Sequence, residues 1–173
     1  MKNILSIILI GLLTSSCQSQ SDRVENDLYN CLMNSLSENE KSELKPILQK
    51  FETHLIEKGI LESSAPESYR NVYKKIAETG TYDFSNEFNF SKKISFLNKP
   101  DNKQLIECHM NIFQSEKYLS SKTRELNEKV RALGSEKTTP KIIAQTMLDY
   151  MSIEDFKLKY NRLNTLMFIE QLK

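Results

Sequence analysis

The chain has 173 residues, and its 24 lysines and arginines nearly balance its 23 aspartates and glutamates. Binding to nucleic acid depends on neutralising phosphates, so this balance gives no electrostatic basis for a nucleic-acid partner. The length suits one domain with a substantial core, and the four glycines form no phosphate-binding loop, dinucleotide fingerprint or nucleophile elbow.

Residues 1–17 have the order of a secretory signal. Lys2 precedes an apolar stretch over 4–13, which is too short to cross a bilayer because a spanning helix needs about 20 apolar residues. Three small hydroxylated residues and then Cys17 follow. The segment resembles the signal and lipobox of bacterial lipoproteins, with Thr14 where that family usually has leucine. The residues alone also allow an ordinary cleaved signal or an uncleaved anchor.

The resemblance implies that residues 1–16 are removed and that Cys17 carries the lipid that binds the membrane. Residues 17–22 would then form a lipidated tether and residues 23–173 a single domain. Two or three acyl chains hold a protein stably at a bilayer, where one chain binds only marginally. Gln18 is not the aspartate that retains some lipoproteins at an inner membrane. We therefore expect a bacterial cell-envelope protein on the outer membrane, facing either the periplasm or the surface.

Amphipathic spacing after the tether predicts a mainly α, orthogonal or bundle-like domain of about six helices. Gly59, Gly80 and Gly134 each follow an amphipathic run, as a left-handed C-cap does. Pro66 and Pro140 suit first helical turns, where the missing N–H costs nothing. The spacing also allows the fourth and fifth helices to be one. The predicted helices cover roughly 22–36, 43–58, 66–78, 100–114, 116–133 and 140–151.

The second predicted helix, over 43–58, depends on how Pro46 is placed. Proline fits a first turn here if Ser42 is the N-cap. At the other end of this helix, the sequence IEKGIL predicts a Schellman turn in which Ile60 packs back on the last turn.

Two segments, 82–97 and 155–170, depart from the helical pattern. Both show local alternation of apolar and polar residues with a period of two, which is typical of strands. We therefore allow one small antiparallel β element formed by these segments. The stretch 164–172 is compatible with either a strand or a closing helix.

The cysteine count becomes informative once Cys17 is assigned to lipid. Cys31 and Cys108 remain as an even pair in a compartment that permits disulfides, so we predict that they are bridged. The alternative is two buried free thiols that act as small apolar side chains.

One aromatic cluster is a candidate ligand or partner surface, because long loops in compact domains are often functional. Packing of the same rings in the core under a loop is the alternative. The cluster consists of Tyr82, Phe84, Phe88, Phe90 and Phe96.

The sequence contains no convincing catalytic or metal-binding set. The two histidines, His54 and His109, each follow a glutamate by two residues, which places carboxylate and imidazole on different faces of a helix. A di-iron Glu-x-x-His motif would need glutamate at 51 or 106, and neither position holds one. We predict no catalytic residue, no cofactor and no metal.

The leading hypothesis is a lipid-anchored, non-enzymatic interaction or structural module whose partner is a protein or another envelope component. The first alternative is an enzyme, or an accessory subunit of one, with a carboxylate site assembled only in three dimensions. A cleft holding several carboxylates and a histidine would favour it. The second alternative is a carrier of a small apolar ligand, favoured by a cavity lined by the aromatic segment 82–96. An exposed apolar stripe on the predicted helix 116–133 would favour the interaction module.

Overall fold

The computed structural model describes residues 22–81, 87–99, 102–134 and 138–172, and in these residues the chain is helical without a strand. This confirms the prediction of a mainly α domain. Short 3₁₀ turns cover Ser95–Asn98 and Ile153–Lys157. The α-helices are α1 (Val24–Asn34), α2 (Glu38–Glu57), α3 (Pro66–Thr79), α4 (Phe90–Lys93), α5 (Lys103–Phe113), α6 (Glu116–Leu119), α7 (Lys122–Ala132), α8 (Pro140–Tyr150) and α9 (Lys159–Glu170).

Several helix ends lie where the sequence predicts them. Pro66 and Pro140 occupy first turns, and the hydroxyl of Thr139 accepts a hydrogen bond from the Ile142 N–H at 3.3 Å. Gly59 has a φ of 68°, and its N–H donates to the Ile56 carbonyl at 2.9 Å. The next N–H, that of Ile60, donates to the Leu55 carbonyl at 2.9 Å, which completes the predicted Schellman turn after α2.

The start of α2 differs from the prediction. The helix begins at Glu38, with Ser37 as N-cap, so Ser42 and Pro46 lie inside it. Ser37 and Glu40 form a capping box, in which the Ser37 N–H donates to the Glu40 carboxylate at 2.9 Å. The box satisfies the N–H groups of Ser37 and Glu40, and the helix therefore begins more than two turns before Pro46.

The predicted helices 100–114 and 116–133 are not continuous. They correspond to α5, α6 and α7, which are separated at Ser115 and Ser121. The Ser115 hydroxyl accepts from the Tyr118 N–H at 3.2 Å, and the Ser121 hydroxyl accepts from the Arg124 N–H at 3.1 Å. Each serine therefore caps a new helix, since its side chain replaces a backbone acceptor.

The small β element allowed by the alternation near 82–97 and 155–170 is absent from the described residues. Residues 90–93 form α4, and the stretch 159–170 forms α9, which answers the open choice between strand and helix. The alternation near 156–160 arises at a junction, because a 3₁₀ turn ends there and α9 begins. Every second side chain points inward over such a junction without forming a strand.

The core is centred on α3, which packs against α8 and the 3₁₀ turn Ile153–Lys157. Tyr73 lies in its middle, stacked on Phe168 with ring centroids 5.4 Å apart. The Tyr73 hydroxyl and Thr165 Oγ1 are 3.2 Å apart, and burial raises the pKa of Tyr73 to about 12. The other large, fully buried side chains include Phe51, Phe90, Phe156, Leu55 and Ile76.

Long-range bonds tie the first described residues to the rest of the domain. Cys31 of α1 and Cys108 of α5 form a disulfide with Cα atoms 5.9 Å apart, which confirms the predicted pair. Arg23 bonds to Glu25 at 2.7 Å and to Asp155 at 2.5 Å. The beginning of the domain is therefore fixed both covalently and by charge. No helix in the described ranges has the length and apolarity needed to cross a membrane.

Candidate binding groove

A groove of ≈ 580 Å³ opens between α1, α2 and α9, beside Tyr69 of α3. Sites for small molecules typically enclose about 300–1,000 Å³, so this groove is large enough for one. We call it the lysine groove, after Lys41, Lys45 and Lys159 on its walls.

The walls of the lysine groove follow helical spacing. Residues three or four apart share one face of a helix, and each wall is one such face. α1 and α9 pack together, and the groove lies between this pair and α2. The wall residues are Lys41, Lys45, Leu48 and Glu52 on α2, Lys159, Leu163 and Leu166 on α9, and Tyr29 and Met33 on α1.

The floor of the groove is apolar. Leu44, Leu163 and Leu166 are buried in the core and show only an edge to the groove. Leu48 and Met33 are half-buried and lie above them. A hydrocarbon chain laid on this floor would remove apolar surface of both partners from water, which is favourable by about 25 cal/mol per Å².

The rim of the groove is cationic. It carries three lysines and Arg162, and a single acidic residue, Glu52, lines the groove with them. Lys41 bonds to Glu38 at 2.8 Å, but the Glu38 side chain is almost fully exposed, so this pair contributes little. Within the described residues, neither Lys45 nor Lys159 forms an ion pair, and the Lys159 ammonium stands 5.8 Å from the centre of the Tyr29 ring.

Glu52 is already neutralised by its neighbours. Arg162 donates to Glu52 Oε1 at 2.6 Å, and the Tyr69 hydroxyl donates to the same oxygen at 2.5 Å. The Arg162 guanidinium also lies over the Tyr69 ring at 4.6 Å and donates to the Ser64 carbonyl at 2.6 Å. Burial, and then the bond to Glu52, raise the pKa of Tyr69 well above its usual value. These three side chains bound one end of the groove. Because Glu52 is paired with Arg162, it does not offset the charge of the three lysines, and the potential in the groove is positive.

The groove does not contain the set that the enzyme alternative would require. It holds one carboxylate, and neither histidine lines it. His54 lies beside Phe88, with ring centroids 5.6 Å apart, and His109 lies beside Phe113 at 5.7 Å. Burial lowers the pKa of His109. In the described part of the chain, no group of three or more histidine, cysteine, aspartate or glutamate side chains is placed to hold a metal ion.

The aromatic cluster predicted as a surface lies apart from the groove where it is described. Phe90 is fully buried and stacks on Phe51, with centroids 4.2 Å apart and planes at 13°. Phe88 and Phe96 are half-buried and pack against the same core. Tyr82 and Phe84 lie outside the described residues, as does Cys17. The described rings of the cluster therefore contribute to packing rather than to a cavity wall.

Sequence reasoning did not identify the lysine groove. A local signal exists, because Lys41 and Lys45 stand at helical spacing beside Leu44 and Leu48. A solvated helix edge produces the same pattern, however. Only the approach of α9 from the other end of the chain turns it into a site.

Comparisons of the chain with protein-family models, with curated proteins and with solved structures gave no match.

Proposed function

We propose that this protein is a lipid-anchored, non-enzymatic binding protein of the bacterial cell envelope, held at the outer membrane through Cys17. Its partner is an envelope component with one hydrocarbon chain and an anionic head group, a carboxylate or a phosphate, bound in the lysine groove. The observation that carries this proposal is the combination of an apolar floor with a cationic rim.

The chemistry of the rim selects the head group. Lys45 and Lys159 each offer an ammonium without a carboxylate partner among the described residues, and ammonium groups donate charge-assisted hydrogen bonds to carboxylate and phosphate. A cationic head group would be repelled, and a neutral one would gain only the contact with the floor. The predicted order of affinity is therefore anionic, then neutral, then cationic.

The floor selects the chain. Leu44, Leu163 and Leu166 each show an edge to the groove, Leu48 and Met33 add apolar surface, and the groove volume exceeds what a lone head group would fill. A free inorganic anion would use only the rim. The site therefore favours an amphiphile over a simple salt.

Isothermal titration calorimetry with a matched set of probes tests the site. Dodecanoate, dodecyl phosphate, dodecyl maltoside and dodecyltrimethylammonium share one chain and differ in head group, and inorganic phosphate serves as the chain-free probe. We expect the two anionic amphiphiles to bind most tightly. Equal affinity for dodecanoate and dodecyl maltoside would contradict the role of the lysines, and no binding by any amphiphile would overturn the site.

Substitutions separate the rim from the floor. The double variant Lys45→Gln with Lys159→Gln should weaken dodecanoate binding at least about tenfold, because each charge-assisted bond contributes about 1.5–3 kcal/mol. Dodecyl maltoside should be affected little. The matched control is Lys122→Gln with Lys129→Gln, two exposed lysines of α7 that do not line the groove. Leu48→Asp should weaken binding of every chain-bearing probe.

The anchor is tested independently of the groove. Cys17→Ala should release the protein from membranes of the producing cell into the soluble envelope fraction. Unchanged retention in the membrane fraction would contradict the anchor and leave the groove proposal standing.

A further inference from the structure

α5 carries an apolar face that nothing in the described structure covers. Ile106, Met110 and Phe113 recur at intervals of four and three residues, so they form one stripe along the helix. Their side chains are 52%, 51% and 39% exposed, and α5 has no fully buried residue. We call these three residues the α5 stripe. Contiguous exposed apolar surface of this kind marks an interaction site.

The opposite face of α5 is fixed against α1. The disulfide joins the last turn of α1 to the middle of α5, and the Asn102 side chain donates to the Ser35 carbonyl at 3.4 Å at the start of α5. At the other end, Lys117, four residues after the end of α5, bonds to Asp27 at 2.6 Å. α5 therefore runs antiparallel to α1, and its C-terminal end lies beside the beginning of the domain.

The tether enters the domain at the Phe113 end of the stripe. Asp22, the first described residue, bonds to Lys117 at 3.2 Å. The neighbouring Tyr118 ring lies 4.9 Å from the Phe113 ring. Leu119, which is also exposed, lines a second groove, distinct from the lysine groove, together with Phe113 and Tyr118.

The length of the tether limits how far the domain can stand from a lipid on Cys17. Four residues lie between Cys17 and Asp22, which makes five steps along the chain. An extended chain spans at most about 3.6 Å per step, so the reach is about 18 Å. The stripe itself, from Ile106 to Phe113, extends about 10 Å along the helix. The stripe starts where the tether enters the domain and is shorter than this reach. A lipid on Cys17 would therefore hold the whole stripe close to the bilayer surface.

We propose that the α5 stripe rests in the interfacial region of the bilayer that carries the lipid anchor. The inference relies on the proposed lipidation of Cys17. Exposed Lys103 and Glu107 flank the stripe with opposite charges, so the contact is apolar and forms on neutral phosphatidylcholine as well as on anionic lipid.

Tryptophan reporters test the contact, because the chain contains no natural tryptophan. The full chain with Phe113→Trp, purified from the producing cell, is reconstituted in phosphatidylcholine vesicles with brominated acyl chains, which quench fluorescence on contact. The matched reporter is Ile142→Trp on α8, where Ile142 is 38% exposed and the adjacent Lys141 contacts the end of α3. Vesicle flotation reports the anchor in the same samples.

The expected result is that both variants float with the vesicles, while only the Phe113→Trp emission is shifted to shorter wavelength and quenched. Flotation with equal, weak quenching of both reporters would overturn the stripe contact and leave the anchor intact. Failure to float would overturn the anchor itself. A photo-crosslinking residue at 113 that yields a single protein adduct in intact cells, rather than lipid adducts, would assign the stripe to a protein partner and also overturn the proposal.

Discussion

Replacement of Arg23 by methionine should destabilise the domain more than any comparable change in surface charge. The Arg23 guanidinium bonds to Glu25 at 2.7 Å and to Asp155 at 2.5 Å, and both carboxylate side chains are only 5% exposed. Thr123 donates to Glu25 at 2.8 Å, and the Ser152 N–H donates to Asp155 at 2.7 Å. Methionine keeps the apolar stem but leaves two buried carboxylates without a cation.

The magnitude follows from the burial of the two acids. Removing one partner from a buried ion pair costs about 3–5 kcal/mol, because the remaining charge is desolvated and uncompensated. The hydrogen bonds from Thr123 and Ser152 remain, and Arg23 itself is 22% exposed, so we expect the lower end, about 3 kcal/mol. For a chain of this size this lowers the Tm by roughly 6–12 °C.

The loss should also depend on pH. Burial raises the pKa of Asp155, but hydrogen bonds from Arg23 and Ser152 outweigh burial, and the pKa is lowered overall. A lowered carboxyl pKa stabilises the folded state above the unfolded pKa of about 4, and this stabilisation is lost as the pH falls through the folded pKa. Without Arg23 the Asp155 carboxyl protonates more easily, so the difference in free energy of unfolding between variant and parent should shrink from pH 7 to pH 4.

Urea denaturation followed by circular dichroism at pH 7 and pH 4 measures both effects. Lys157→Met is the matched control, because Lys157 lies in the same 3₁₀ turn as Asp155 but pairs with Glu154 in solvent. That exposed pair should contribute less than about 1 kcal/mol. Equal free energies of unfolding for the two methionine variants at pH 7, or an Arg23 loss that is unchanged at pH 4, would contradict this prediction.

Three further predictions concern parts of the fold. The double variant Cys31→Ala with Cys108→Ala should lose about 4–5 kcal/mol of the free energy of unfolding in urea, since the bridge closes a separation of 77 residues; a loss below about 1 kcal/mol would contradict the chain-entropy argument. Ser37→Ala should cost about 1 kcal/mol by removing the N-cap of α2, whereas Ser42→Ala, inside the helix, should cost clearly less by the same assay. Burial lowers the pKa of His109, so the unfolded state binds the proton more readily, and stability should fall as the pH drops below about 6.5. In thermal unfolding between pH 7 and pH 5, His109→Gln should reduce the dependence of Tm on pH. An unchanged dependence would refute the role of His109.

Local chemistry explains which helix ends could be predicted. The Schellman turn at Gly59 and the first turn at Pro140 depend on the φ values that glycine and proline favour, so they can be identified without knowledge of the fold. The start of α2 was also encoded locally, because Ser37 and Glu40 have capping-box spacing. The prediction of Ser42 as N-cap was wrong because it depended only on Pro46 fitting a first turn, and Pro46 lies inside the helix instead.

The lysine groove could not be predicted in the same way, because no local rule places α9 beside α2. Arg162 and Glu52 are 110 residues apart in the chain, and their bond at 2.6 Å exists only after the core has brought the two helices together. The small β element that the sequence analysis allowed also depended on a local pattern alone. The alternation near residues 156–160 has period two locally, and only packing against α3 decides that a 3₁₀ turn and a helix bury those side chains.

The groove and the α5 stripe lie on different sides of α1, and this relates the two proposals. Tyr29 and Met33 face the groove, while Cys31, two residues from each, bonds to α5. Residues two apart on an α-helix point about 200° apart, so α1 stands between the groove and α5. A stripe resting on the bilayer therefore leaves the groove open to the aqueous side, where it would capture amphiphile in solution. We expect the lipidated chain on vesicles and the Cys17→Ala chain in solution to bind dodecyl phosphate with the same Kd when free ligand is measured directly. A markedly higher Kd on vesicles would mean that the bilayer covers the lysine groove, which would refute this orientation.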